Sequence, residues 1–231
     1  MCPMTSLKVL HQTVSQCTKC PRLTQYRREI AQTKRRQFQE WTYWGRPVPG
    51  FGDPKARLLV LGLAPAAHGG NRTGRVFTGD RSGDWLYHAL YTFGFSNQPD
   101  STHRNDGLRV RDCYIAAAVR CAPPGNKPLR EEFAACRPYL LEELRLLRRV
   151  TVVVALGKIA FDEYLRACRE LGHSIPRPTP QFGHGKVYTL PWAMTLIGSY
   201  HPSQQNTFTG KLTRPMFHQV FKLAGTFLGK H

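Results

Sequence analysis

The sequence contains few acidic residues for its length. Its 231 residues include 15 Asp and Glu against 33 Lys and Arg, which gives a formal net charge of +18. A field of that sign attracts polyanions, and nucleic acid is the commonest polyanion in a cell. A basic surface without a specific partner is the alternative. The charge therefore favours a protein that binds nucleic acid.

The sequence also lacks long apolar segments. No window approaches the ~20 apolar residues that a membrane helix requires, and the first residues lack the basic flank and apolar stretch of a signal peptide. We therefore expect a cytoplasmic protein whose seven cysteines stay reduced unless a metal binds them. Repeats and low-complexity linkers are absent as well, so the sequence predicts a single domain spanning residues 1–231.

Short apolar runs alternate with helical patterns along the chain. The runs predicted as strands are residues 57–63, 114–119, 150–156, 187–190 and 194–199. The segments predicted as helices are residues 82–93, 129–149, 158–171 and 212–228, after an irregular helical segment over residues 5–40. Ser82 is the predicted N-cap of the first of them, Gly94 its end, and Pro138 the start of a new turn in the second.

This alternation predicts an α/β fold with three layers, in which a mainly parallel sheet carries helices on both faces. In such sheets the functional residues lie in loops at the carboxyl ends of the strands. Two loops of this sequence, one rich in glycine and one containing a histidine, follow predicted strands and hold its most unusual residues.

Four of the cysteines could bind a metal. Cys17 and Cys20 form a C-x2-C pair, and Cys121 and Cys136 lie far along the chain. A thioredoxin-like redox pair would follow a strand, and no strand is predicted before Cys17. Spacing leaves zinc, an iron–sulfur cluster and reduced buried thiols all open. The remaining cysteines have no such pattern: Cys2, Cys113 and Cys168.

The glycine-rich loop is GLAPAAHGGNRTGRVFTGD, residues 62–80. It matches neither a Walker A loop nor the GxGxxG fingerprint. Its small residues let a planar ligand or a phosphate approach the backbone amides closely. Phe77 offers a ring on which a base could stack, and Asp80 offers a carboxylate. Each also has an ordinary structural interpretation, as a core contact for Phe77 and as a charge near a helix N-terminus for Asp80.

The histidine loop is SYHPSQQNTFTG, residues 199–210, after the last predicted strand. His201 is placed at the carboxyl end of that strand, and Pro202 restricts the backbone beside it. The residues that follow have polar side chains and suit a loop that contacts nucleic acid: Ser203, Gln204, Gln205 and Asn206.

Together these motifs resemble the uracil-DNA glycosylase superfamily, and most closely its family 5. The resemblance rests on the two loops, on RCAPPGNKP (residues 120–128) and on the four cysteines, which together span residues 17–210. It implies a four-stranded parallel sheet flanked by helices and a structural [4Fe–4S] cluster. It also implies that the N-terminal helical segment contributes to the metal site. The cluster ligands it implies are Cys17, Cys20, Cys121 and Cys136.

The same resemblance implies a DNA-repair enzyme. Such an enzyme flips a damaged base out of single- or double-stranded DNA and hydrolyses its N-glycosidic bond, leaving an abasic site. The implied substrates are uracil and other deaminated bases such as hypoxanthine, and we expect a monomer associated with the nucleoid.

The resemblance also assigns roles to individual residues. Asp80 would stabilise the cationic sugar and share in orienting the attacking water, His201 would donate to the departing base, and Asn126 would contact base or water. The residues expected to line the base pocket are Gly62, Leu63, Ala64, Phe77, Asn126 and His201. The loop from Ser203 to Asn206 would contact DNA.

The sequence departs from related families in the first motif. Where those families place an Asp or a Glu, residues 63–65 read Leu-Ala-Pro and offer no ionisable side chain. Two other functions stay open. A non-catalytic basic DNA-binding module with a structural metal would give Asp80 and His201 no role, and a nucleotide-processing enzyme would lack any matching phosphate motif.

Overall fold

Continuous apolar runs form the centre of a single sheet, as expected for strands that are buried on both faces. The computed structural model describes residues 6–230, and Cys2 therefore lies outside the described residues. The strands are β1 (Phe51–Gly52), β2 (Leu58–Gly62), β3 (Cys113–Ala117), β4 (Val152–Leu156), β5 (Val187–Leu190) and β6 (Met194–Ser199).

Helices precede the sheet, connect its strands and follow it. They are α1 (Leu7–Ser15), α2 (Pro21–Thr33), α3 (Gly70–Thr73), α4 (Arg81–Thr92), α5 (Arg130–Leu146), α6 (Lys158–Glu170), α7 (Gln204–Phe208) and α8 (Arg214–Phe227). Short 3₁₀ turns lie at Arg36–Phe38 and Pro124–Asn126. Among residues 6–230, no helix is both long and apolar enough to cross a membrane.

The strands lie in the order β1-β3-β2-β4-β6-β5. The four central strands are parallel, whereas β1 and β5 pair antiparallel at the two edges. The predicted mainly parallel α/β architecture is therefore confirmed. The expected four strands correspond to the parallel centre, and the two edge strands bring the sheet to six.

Alternate residues of β2 point into two different cores. Leu58 and Val60 pack with α4 and α8 on one face, and Leu59 and Leu61 pack with α5 and α6 on the other. This two-residue period follows from the pleat of the strand. The helices thus cover both faces, and the carboxyl ends of the parallel strands stay free for the loops that carry polar residues.

A third cluster holds the N-terminal helices against α5. Leu10 and Leu23 are buried there beside Cys136. Next to Cys136 of this cluster, whose sulfur accepts the Arg120 amide, Arg120 and Glu143 form a bidentate ion pair that is almost wholly buried. The hydroxyl of Tyr114 donates to the same carboxylate at 3.1 Å, so the charge of Glu143 is paired and hydrogen-bonded.

Two local predictions are wrong. The N-cap of α4 is Asp80, not Ser82, because the Asp80 carboxylate accepts the amide of Gly83. Helix α5 runs through Pro138 without a new start. The residues that follow it, Tyr139 and Leu140, are buried in core clusters, and that packing outweighs the one helical hydrogen bond that proline removes. Gly94 ends α4 at a φ of 72°, as predicted.

Candidate active site

Three loops meet at the side of the sheet where the parallel strands end, which we call the carboxyl edge. They meet there because β2, β3 and β6 are parallel and end at the same side. The glycine-rich loop leaves β2, the loop that contains Cys121 and Asn126 leaves β3, and the histidine loop leaves β6. All the residues predicted for the base pocket therefore lie at this edge.

Asp80 is held in place from two sides. Its Oδ1 accepts the amide of Gly83 at 3.0 Å, which caps the twelve-residue helix α4. Its other oxygen lies against Gly69, where a Cβ would overlap it, so this arrangement requires glycine at position 69. Burial raises the pKa of Asp80 to about 6, although the amides of Gly83 and Ser82 and the charge of Arg72 act in the opposite direction.

His201 lies half-buried at the end of β6. Its ring is 5.9 Å from the ring of Phe77, centroid to centroid, and Phe77 precedes Asp80 by three residues. Burial lowers the pKa of His201 to about 4, so the imidazole is neutral at pH 7. Among residues 6–230, neither ring nitrogen of His201 has a hydrogen-bond partner, which leaves both for a ligand.

Phe77 is mostly buried, and its ring packs over Gly62. A Cβ at Gly62 would lie 2.5 Å from Cζ of Phe77, so the close approach needs glycine there. Phe77 itself adopts a positive φ of 51°, which is rare for an aromatic residue. The predicted core contact is therefore present, and the ring also faces His201 at the site.

The backbone around Ala64 has free donors. The amides of Ala64, Ala66 and Ala67 donate to no acceptor within residues 6–230. Leu63, by contrast, is tied to the sheet through its carbonyl, which accepts the amide of Val119 at 2.9 Å. A buried or half-buried amide without an acceptor destabilises the folded protein unless water or a ligand accepts its hydrogen bond. These amides suit the polar edge of a planar ligand.

Asn126 lies in the neighbouring loop with its side chain exposed. Its φ of 57° follows a Gly125 that is also left-handed, so the turn after β3 projects it outward. Its side chain forms no hydrogen bond with another of the described residues. Asn126 thus lies at the same edge as Asp80 and His201 but forms no hydrogen bond with either of them.

The polar residues of the histidine loop form the start of α7. Ser203 caps this helix through its hydroxyl, and Gln204 and Gln205 are exposed. Asn206 has a structural role, since its amide nitrogen donates to the carbonyl of His201 at 2.8 Å. This hydrogen bond fixes the backbone that presents the imidazole.

Arg72 is a site residue that sequence reasoning missed. Its guanidinium lies between the rings of Phe38 and Trp41, at 3.8 and 4.1 Å from their centroids. It donates to the carbonyls of His68 at 2.7 Å and Gly79 at 2.8 Å, and so ties together both ends of the segment that leads to Asp80. The signal in the sequence was the aromatic content of residues 38–44.

The four predicted metal ligands surround one cavity of about 20 Å³. Cys17 and Cys20 both precede α2, Cys121 follows β3, and Cys136 lies in α5, where its sulfur accepts the amide of Arg120 at 3.2 Å. Ala64 of the glycine-rich loop packs against this cluster. Within the described chain, no three His, Cys, Asp or Glu side chains converge closely enough to bind a single metal ion.

Comparison with known proteins places this arrangement in a family. Residues 49–224 match the model of the uracil DNA glycosylase superfamily. Type-5 uracil-DNA glycosylases of Mycobacterium tuberculosis and Thermus thermophilus are each 50% identical to the chain, over 97% and 94% of its length and 82% and 96% of theirs. A type-4 uracil-DNA glycosylase of Pyrobaculum aerophilum is 32% identical over 85% of this chain and 83% of its own.

The environment of Asp80 predicts an unusual titration. In protein with ¹³C-labelled aspartate, the Asp80 carboxyl should titrate near pH 6, because burial disfavours its charged form. Asp112 provides the internal control, since its hydrogen bonds to Arg57 hold its pKa below the usual range. An Asp80 midpoint near 4 would show a solvated carboxylate and contradict this description of the site.

Proposed function

As a member of the uracil-DNA glycosylase superfamily, in its type-5 branch, this chain is a DNA-repair enzyme that hydrolyses the N-glycosidic bond of uracil in DNA, and we propose that Asp80 and His201 carry the reaction. The observation that carries this proposal is the joint position of a half-buried carboxylate and a half-buried neutral imidazole at one sheet edge. We further propose that the enzyme acts as a monomer at the nucleoid and that residues 1–231 form one domain.

Asp80 acts on the sugar. Cleavage of the N-glycosidic bond leaves positive charge on the sugar, and a carboxylate stabilises that charge best where water is excluded. A pKa of about 6 leaves Asp80 mostly ionised at neutral pH. Because the Gly83 amide already occupies Oδ1, we propose that the other oxygen, which lies beside Gly69, acts on the sugar or on the attacking water.

His201 acts on the departing base. The base leaves with negative charge on its oxygen, and a neutral imidazole can donate one N–H to it without first losing a proton. The lowered pKa of about 4 keeps the ring neutral across the physiological range. Phe77 would stack on the flipped base, and the amides near Ala64 would face its edge.

Asn126 and the start of α7 complete the proposed contacts with DNA. The exposed Asn126 side chain can reach a base or water at the mouth of the pocket, and Ser203, Gln204 and Gln205 can meet the DNA backbone. Asn206 would contribute through its amide oxygen, which accepts no hydrogen bond from residues 6–230, because its nitrogen donates to the His201 carbonyl.

The proposed base range extends beyond uracil. The stretch Leu63, Ala64 and Pro65 presents no polar side chain to the base, so recognition there depends on backbone amides. Backbone donors select for an acceptor on the base edge rather than for one base. We therefore propose that hypoxanthine is also a substrate.

The four cysteines fit an iron–sulfur cluster better than zinc. Zinc in a structural site needs four ligands within about 2.3 Å of one point, and the described thiols do not converge in this way although they line one cavity. In a [4Fe–4S] cluster the thiolates bind different iron atoms, which allows wider spacing. We propose that such a cluster joins the N-terminal helices to α5 and to the loop after β3, and that its role is structural.

The proposed role of His201 predicts that the loss of excision rate in a His201 variant depends on the leaving base. Excision of uracil by His201→Ala should be on the order of 100-fold slower than by wild type under single-turnover conditions. The loss should be larger for hypoxanthine or uracil than for 5-fluorouracil, which leaves more readily and needs less stabilisation. His173→Ala is the matched control, because His173 follows α6 at the opposite end of the sheet and stacks on Trp192.

The result that would contradict this assignment is an equal loss for all bases, since His201 would then act on binding or folding. Wild-type excision of uracil without any excision of hypoxanthine would reject the wider base range alone.

The cluster predicts a specific metal content. Anaerobically purified protein should contain about four iron and four sulfide per chain and absorb in the visible. Cys136→Ser should lose both iron and stability, because metal binding and folding are coupled. Cys168→Ser is the control, since Cys168 is buried in α6 away from the cavity. A colourless protein with one zinc per chain would overturn the proposal.

A further inference from the structure

A solvent-open cleft of about 370 Å³ lies between α2 and the segment that follows it. Its walls include Gln16, Arg27, Arg28, Trp44 and Arg46, and no acidic residue of the described chain lines it. We refer to it as the arginine cleft. It lies outside the base pocket, and nothing in the proposed reaction uses it.

Arg27 is a buried cation in contact with the thiol of Cys121. Its side chain is only 3% exposed. One guanidinium nitrogen donates to the carbonyl of Gly45 and another to the carbonyl of Cys17 at 3.3 Å, while Nε has no acceptor. No carboxylate of residues 6–230 forms an ion pair with it. The Cys121 thiolate of the proposed cluster would supply part of its counter-charge, and Nε adds an unsatisfied donor beside the cleft.

The other two arginines add exposed charge to the same cleft. Arg28 and Arg46 are exposed, and within the part of the chain that the structure describes neither forms an ion pair. Arg46 lies over the ring of Trp44, 5.5 Å from its centroid. Other arginines of α2 and the core are neutralised, such as Arg22 by Glu132 and Arg75 by Asp106.

We propose that the arginine cleft binds a phosphate group of the DNA backbone. The exposed guanidinium groups of Arg28 and Arg46 match the charge of a phosphodiester and can donate several hydrogen bonds to its oxygens, and Arg27 adds positive charge behind them. An open cleft on a protein of net charge +18 suits a polymer better than a small ion, because the whole surface attracts the polymer. This inference rests on the proposed action on DNA.

The cleft is directly attached to the glycine-rich loop. The amides of Trp44 and Gly45 donate to the carbonyls of Arg72 at 2.8 Å and Asn71 at 3.0 Å. The side chain of Asn71 donates in turn to the carbonyl of Arg27 at 3.1 Å. A phosphate in the cleft would therefore bind the same segment that supports the loop of Asp80. Such a contact would fix the position of the DNA strand relative to the site.

The test replaces the two exposed arginines and leaves Arg27 in place, because Arg27 is also needed for folding. The double variant Arg28→Gln and Arg46→Gln is compared with Arg148→Gln and Arg149→Gln. Arg148 and Arg149 are exposed in the turn before β4, at the opposite edge of the sheet, and they too lack ion pairs among the described residues. Both variants lose the same charge.

Affinity for a duplex with an abasic site is measured over a range of salt concentrations. The cleft variant should bind on the order of tenfold more weakly at low salt. Its slope of log affinity against log salt should be shallower by about 0.9, as expected for the loss of one phosphate contact. The control variant should keep the wild-type slope. Equal changes in the two variants would overturn the proposal and attribute binding to diffuse charge.

A second arm distinguishes the source of the phosphate. Calorimetric titration with inorganic phosphate should show no saturable binding that depends on the cleft. If phosphate binds the wild type and not the cleft variant while DNA affinity is equal, the ligand is a free phosphate and the proposal is wrong. Uracil excision by the wild type is assayed in the same samples, so that failure of the proposed function is recognised separately from failure of the cleft.

Discussion

The rest of the site depends on the position of the Asp80 carboxylate, which its contact with Gly69 fixes. The carboxylate caps α4 through one oxygen, and the other oxygen lies where any side chain at position 69 would stand. The helix N-terminus favours the charge, whereas burial disfavours it, and the balance leaves the pKa of Asp80 at about 6. A capping residue thereby becomes a group that is ionised at neutral pH and largely removed from water.

Residues in the N-terminal third of the chain hold the glycine-rich loop, and with it Asp80, in place. Arg72 joins both ends of the loop and is held between Phe38 and Trp41. Ala64, at the start of the loop, packs on the hydrophobic cluster that includes the four cysteines proposed as metal ligands. A structural metal group would then stiffen the base pocket without contacting the substrate.

The central architecture was predictable because it follows from local patterns. Short valine-rich runs such as residues 150–156 indicate buried strands, and parallel strands bring their following loops to one edge. The N-cap was not predictable from Ser82 alone, because Asp80 and Ser82 are both good caps and the loop geometry selects between them. The continuity of α5 through Pro138 and the clamp around Arg72 depend on contacts between distant segments. No local pattern encodes such contacts.

The central claim is that the charge of Asp80 acts on the transition state. The most direct test is Asp80→Asn, since asparagine is an equally good N-cap and keeps the fold. Single-turnover excision of uracil at saturating enzyme and affinity for an abasic-site duplex are measured together. We expect the rate to fall on the order of 100-fold or more while affinity is retained. A wild-type rate, or a loss of affinity equal to the loss of rate, would contradict the account.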